Sequence, residues 1–329
     1  MSALLATLAL ALLCVLGFAV LTALVSAALW PLCRRLLRRR HPIVRARAAF
    51  AFASAPVAVP LLLLALCLAP GVASWLGLHE DHCLHHAGHA HLCLAHPTLA
   101  LSAPLALVLA VACAGLVAGV ARGARRIARS QRELSALPLH ACDDFAPGVH
   151  RVASARAFSV TSGLLRPQIW LSTALAEALP ARQLDAVLAH ERAHARRRDA
   201  LRRLVASVAS WAHWPRLRRA LRAELALASE QACDEAAARS LGDRLAVAEA
   251  ILAAERLLGD ARAPEHVVLA SFAGSAVEAR VRSLLAGAPP EPMRGLGWLA
   301  PAALAGAIVL TPLLHHATEH VLGLLLRAQ

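Results

Sequence analysis

Four stretches of this chain carry no Asp, Glu, Lys or Arg: residues 1–33, 48–78, 96–121 and 295–318. Each exceeds the roughly 20 residues that an α-helix needs to cross a bilayer. The first is too long for a signal peptide and has no basic start, so it is expected to be retained as a span. Pro56, Pro60 and Pro70 predict a kink in the second, or an early end near Pro70. Between the third and fourth stretches the pattern changes. Residues 149–172 show short apolar runs broken by Gly163 and Pro167, which predict two strands or extended segments. From Pro180 onward Leu184, Val187, Leu188 and Glu191 fall at helical spacing, and residues 216–241 read as a second helix closed by Gly242.

The arginines then set an orientation. Arg34, Arg35, Arg38, Arg39, Arg40, Arg45 and Arg47 fill the first connection, and Arg122, Arg125, Arg126, Arg129 and Arg132 follow the third stretch. The connection between the second and third stretches holds no Arg, only Glu80 and Asp81. Basic connections stay in the cytoplasm, which predicts a multi-pass protein of a bacterial inner membrane with both termini outside. The expected plan is span 1 (1–33), a basic cytoplasmic loop (34–47), span 2 (48–78), an outer loop (79–96) and span 3 (97–121). A cytoplasmic α+β domain (122–294), span 4 (295–314) and a short outer tail (315–329) complete it.

Composition supports a membrane protein and excludes a disordered one: 58% of residues are hydrophobic, 17% are charged, and mean hydropathy is +0.57. The net charge of +13 would suit nucleic acid if it were spread over a soluble surface. Here it sits beside the apolar runs, so membrane lipid is the expected partner and no direct nucleic-acid binding is expected.

The cytoplasmic stretch carries candidate chemistry. His190-Glu191-Arg192-Ala193-His194 is an H-E-x-x-H pattern on the first predicted helix. Side chains at i and i+4 share a helix face, so both imidazoles can reach one Zn²⁺. Glu191 lies beside them, placed to take a proton from a water that the metal polarises. A catalytic zinc needs a third protein ligand. The second helix offers Glu230-Gln231-Ala232-Cys233-Asp234, with Glu230 and Asp234 again at i and i+4. Glu230 is assigned to the metal, with Glu224 and Glu235 as competitors. Asp234 is assigned to hold a ligand histidine by its other nitrogen. Cys233 is expected to be a buried thiol.

Leu165-Arg166-Pro167-Gln168-Ile169, the H-E-x-x-H segment, Arg197-Arg198-Asp199 and Glu230-Gln231-Ala232-Cys233-Asp234 stand in this order along the chain. In this the chain resembles the membrane-embedded zinc metallopeptidases of the penicillin-sensing antirepressor (BlaR/MecR) type. The resemblance implies a gluzincin-like site with His190, His194 and Glu230 on zinc, Glu191 as general base, and Asp199 with Asp234 behind the ligands. It implies that Phe158, Ser159, Val160, Thr161 and Ser162 form an edge strand that pairs with substrate backbone. It also implies that Arg280 steadies the oxyanion, with Arg282 or a structural role as alternatives. The given sequence ends at Gln329, without the outer penicillin-binding domain of the β-lactam sensors, so a different signal is expected.

The outer loop is rich in histidine: His79, His82, His85, His86, His89, His91 and His96, together with Cys83 and Cys93. The same topology places His315, His316 and His320 on that side. Imidazole and thiolate suit Zn, Cu or Ni, so this loop is a candidate second transition-metal site. An inert connector, or a Cys83–Cys93 disulfide in an oxidising compartment, is the alternative.

The function expected is a signal-responsive membrane zinc endopeptidase that cleaves a cytoplasmic protein such as a winged-helix repressor. The alternative is a non-catalytic membrane metal sensor that uses the outer loop. A metal transporter is disfavoured, since the apolar stretches hold no acidic or basic residue to line a polar path.

Overall fold

The computed structural model describes residues 3–77, 142–259 and 275–287, with isolated positions between 107 and 125 and between 305 and 320. Two long apolar helices come first, α1 (Ala3–Leu37) and α2 (Pro42–Trp75). Both are long and apolar enough to cross a membrane. The connection expected over 34–47 is much shorter in the structure. Arginine supports helix well, so α1 runs on through Arg34 and Arg35, and α2 begins at Pro42. The start of α2 has a local cause: Pro42 takes the first helical position, and His41 Nδ1 accepts a hydrogen bond from the Ile43 amide at 3.1 Å. The end expected near Pro70 does not occur, and the helix continues to Trp75. The third and fourth apolar segments are described only at scattered positions. The histidine-rich stretch 79–96 lies outside the described residues, as does His315.

Four strands follow: β1 (Cys142–Ala146), β2 (Val149–Val152), β3 (Ser159–Ser162) and β4 (Gln168–Ser172). They form one sheet in the order β1-β2-β4-β3, with β2 and β4 parallel and the outer pairs antiparallel. Two strands or extended segments were expected over 149–172; the structure has three there, and β1 lies before them. The β3–β4 connection needs glycine at Gly163: φ is +103°, and a Cβ there would meet the Arg166 carbonyl oxygen at 2.5 Å.

Helices make up the rest: α3 (Thr173–Ala178), α4 (Ala181–Arg197), α5 (Asp199–Ala209), α6 (Pro215–Leu241), α7 (Arg244–Gly259) and α8 (Ser275–Leu285), with a 3₁₀ turn at Ser210–Ala212. The two helices expected after Pro180 and over 216–241 are α4 and α6, and Gly242 closes α6 in the left-handed conformation.

Helix α4 is held from two sides. Leu188 packs with Val149, Ile169, Leu171, Leu175 and Leu179 under the sheet. Ala186 and Ala189 pack with Ala237, Ala238, Val247, Ile251 and Leu284 of α6, α7 and α8. Alanine at these positions lets the helices approach closely. A third cluster joins Trp30 of α1 and Ala46, Ala49 and Ala53 of α2 to Ala206, Leu221, Leu225 and Ala228 of α5 and α6. The long apolar helices therefore share a core with α5 and α6.

Candidate metal centre and active site

The 3.6-residue repeat puts His190 and His194 one turn apart on α4, and their Nε2 atoms stand 3.1 Å from one another. Glu230 of α6 meets both: Oε2 lies 3.4 Å from His190 Nε2, and Oε1 lies 3.5 Å from His194 Nε2. Zinc ligands at 2.0–2.1 Å in tetrahedral geometry stand about 3.3 Å apart. The three donors thus have both the chemistry and the spacing of a zinc site. Each side chain remains 12–18% exposed, which leaves an open side for a fourth partner.

The competitors for the third ligand are engaged elsewhere. Glu224 accepts from Arg45 Nε at 2.9 Å and from Arg34 Nε at 3.3 Å. Glu235 takes both arms of Arg244, at 2.5 and 2.7 Å.

Behind the donors, His194 Nδ1 lies 2.9 Å from Asp199 Oδ2. His190 Nδ1 lies 2.8 Å from Asp234 Oδ1, an approach off the axis of an ideal hydrogen bond. A proton on each Nδ1, facing Asp199 or Asp234, would leave the Nε2 lone pair toward the centre. Asp199 reaches His194 because α4 and α5 meet at a single left-handed residue, Arg198 (φ 51°), which turns the chain sharply. Arg197 Nε also donates to Asp199, at 3.1 and 3.2 Å. Cys233 is fully buried on the far side of the His194 ring, 3.4 Å from Nδ1 and 3.6 Å from Asp199. Its contacts are with His194 and Asp199, and burial raises its pKa.

Arg280 of α8 grips Asp234 through two donors, Nε at 2.8 Å and Nη2 at 2.7 Å, and its Nη1 lies 3.5 Å from Glu230. The fork is therefore spent on carboxylates of the site. Arg282, the alternative, pairs on the surface with Glu278.

Two partners were not foreseen from the sequence. Arg203 of α5 donates to Glu230 Oε1 at 2.6 Å. It stands one turn after Asp199, so the i,i+4 spacing that exposed the other pairs was a usable signal here too. Thr161 of β3 lies 2.6 Å from Glu191 Oε2 and 3.1 Å from its carbonyl oxygen. Strand β3 pairs with β4 on one side and forms an edge of the sheet. Ser159, Val160 and Thr161 lie within it and Phe158 just before it, its amide donating to Ser172 Oγ at 2.9 Å.

The electrostatics follow from this packing. Burial disfavours charge on Glu230, but His194, His190 and Arg280 overcome it and hold the carboxyl well below its usual range. Burial likewise opposes protonation of His194, yet Glu230, Cys233 and Asp199 raise it well above an ordinary histidine. His190 is raised too, Asp234 and Glu230 outweighing its burial. Asp234 is lowered against its burial chiefly by Arg280. Asp199 is lowered against its own burial by His194 and Arg197.

The model of the BlaR1 peptidase M56 family matches residues 91–284. That is more than half of the chain, and it contains every residue of the site. The chain belongs to the M56 family. No curated protein and no solved structure matches it. M56 is a metallopeptidase family of membrane-anchored proteins, so membership brings a metal cofactor and membrane association. Among the described residues two groupings could hold a metal, His190 with His194 and Glu230, and His194 with Asp199 and Cys233; the first is the more open, the second being buried at Asp199 and Cys233.

Proposed function

We propose that this chain is a membrane-integrated zinc endopeptidase that cleaves a cytoplasmic protein, a winged-helix transcriptional repressor being the expected class, in response to a signal received outside. The four-span topology, with the peptidase unit in the cytoplasm and both termini outside, is part of this reading. The observation that carries it is the convergence of His190, His194 and Glu230 beside Glu191, whose carboxylate is tied to an edge strand.

Zinc held there would polarise a substrate carbonyl and acidify a water. Glu191 is the residue placed to accept a proton there, and it would return that proton to the leaving amine. Thr161 fixes the Glu191 carboxylate, so the base does not swing. Asp199 and Asp234 set the imidazole tautomers, and Arg203 and Arg280 fix the Glu230 carboxylate. A substrate strand added to β3 would lie directly beside the base, with its backbone recognised by the sheet edge.

The test is cleavage of the repressor encoded nearest this gene by the purified full-length chain, alongside Glu191→Gln. Cleavage by the parent and none by the variant supports the reading. Equal signalling by both, with zinc retained, would instead make the chain a non-catalytic sensor.

A further inference from the structure

The chain from α5 to the start of α6 has two unlike faces. Asp199, Arg203, Ala206 and Ala209 turn toward the site and the shared core. On the other side, Val205, Val208, Trp211 and Trp214 are 38%, 39%, 42% and 73% exposed. Two exposed tryptophans three residues apart, continuous with two valines, are unusual on a surface that meets only water.

The level of this patch along the apolar helices identifies its partner. His213, between the two tryptophans, is fixed at 2.8 Å to the Phe52 carbonyl oxygen of α2, and the Phe52 ring lies 5.3 Å from that of Trp30 on α1. From Phe52 to its end at Trp75, α2 extends about 35 Å at 1.5 Å per residue. The hydrocarbon core of a bilayer is about 30 Å thick. Phe52, Trp30 and the patch therefore lie at one edge of that core, where aromatic side chains collect. Arg47 and Arg45 come within two turns on the other side of Phe52. Gly123, two residues past the third apolar stretch, also comes close to the patch: a Cβ on it would stand 3.3 Å from Val208 Cγ2.

A second observation is independent of the first. Helix α6 opens with Arg216, Arg218 and Arg219 and has no acidic residue in its first turn. Cations there oppose the helix dipole. Arg216 and Arg219 are exposed right after Trp214, where lipid phosphates would offset both charges.

We infer that Val205, Val208, Trp211 and Trp214 form a lipid-inserted wedge of the peptidase unit, with Arg216 and Arg219 on anionic headgroups. This rests on the reading of α1 and α2 as membrane spans. The wedge shares α5 with Asp199 and Arg203, so the bilayer orients the element that supports two donors of the site. The substrate class this favours is a segment that can reach the membrane surface.

The experiment uses the full chain in nanodiscs of phosphatidylcholine and phosphatidylglycerol, with p-benzoylphenylalanine placed in turn at Trp214, Leu21 and Arg182. Leu21 is exposed midway along α1. Arg182 pairs with Asp243 beyond the opposite end of α6. Photolysis should yield lipid adducts at positions 214 and 21 and none at 182. Arg216→Glu with Arg219→Glu should lower the yield at 214 by up to about thirtyfold, the effect of two arginines at about 1 kcal/mol each at an anionic surface; an unchanged yield would remove the headgroup contact. No lipid adduct at 214, or a cross-link there to a second copy, with lipid still found at 21, would overturn the wedge alone. Absence of lipid at 21 as well would overturn the spanning reading beneath it.

Discussion

Thr161 and Glu191 stand 2.6 Å apart, hydroxyl to carboxylate, and so join the edge strand to the helix that carries His190 and His194, two of the three candidate metal donors. A hydrogen bond to a charged group is worth about 1.5–3 kcal/mol. Thr161→Val should therefore lower the single-turnover cleavage rate by about tenfold or more while metal content stays at the parent level. Thr161→Ser should recover most of the rate. Loss of zinc in the valine variant would show a role for Thr161 in the metal site instead.

The donor set makes a sharper demand on metal content. His190→Ala, His194→Ala and Glu230→Ala should each purify with little zinc, and Glu191→Gln should retain one equivalent and not cleave. Elemental analysis of the purified chains decides this. Full occupancy in Glu230→Ala would move the third ligand elsewhere, against the engagement of Glu224 and Glu235 by arginines.

Asp234 is 1% exposed and depends on Arg280 for its charge. Arg280→Met should cost about 3–5 kcal/mol of stability, since it strands a buried carboxylate. The double variant with Asp234→Asn should recover part of that. Denaturant unfolding of the metal-free chains measures the coupling. Additive losses would mean that the pair is not coupled.

Proton linkage runs in opposite directions for the metal-free fold and for metal uptake. The folded-state pKa values of His190 and His194 are raised, so their contribution to stability is full below about 6.5 and is lost as pH rises through the raised values. Zinc binds only the neutral rings. Its affinity should therefore begin to fall at a pH above that of an ordinary histidine site, with protons released on binding. Chelator competition from pH 5.5 to 8.5 tests this, and Glu230→Gln should shift the fall to lower pH.

What the sequence revealed was local. Helix α4 and helix α6 with its Gly242 stop could be read because each depends on i,i+4 spacing or a single cap. The partners of Glu224 could not: Arg34 and Arg45 lie 190 and 179 residues away in the chain, and no periodicity links them. The full length of α1 and α2 is not legible either, because arginine ends the apolar character of a helix without ending the helix. Thr161 was placed in the right strand, but only the packing of β3 on α4 reveals what its hydroxyl does.

The core shared by α1, α2, α5 and α6 bears on how the protein can be handled and how it can evolve. A fragment cut after the third apolar segment would bare Leu221, Leu225, Ala206 and Ala228 and leave Glu224 without Arg34 and Arg45. Such a fragment should aggregate rather than work as a detached protease. On this packing the helices that carry the site are not expected to be a portable module. Gene fusions that move it onto another anchor would have to carry the first helical hairpin along, so hairpin and catalytic helices should be inherited together.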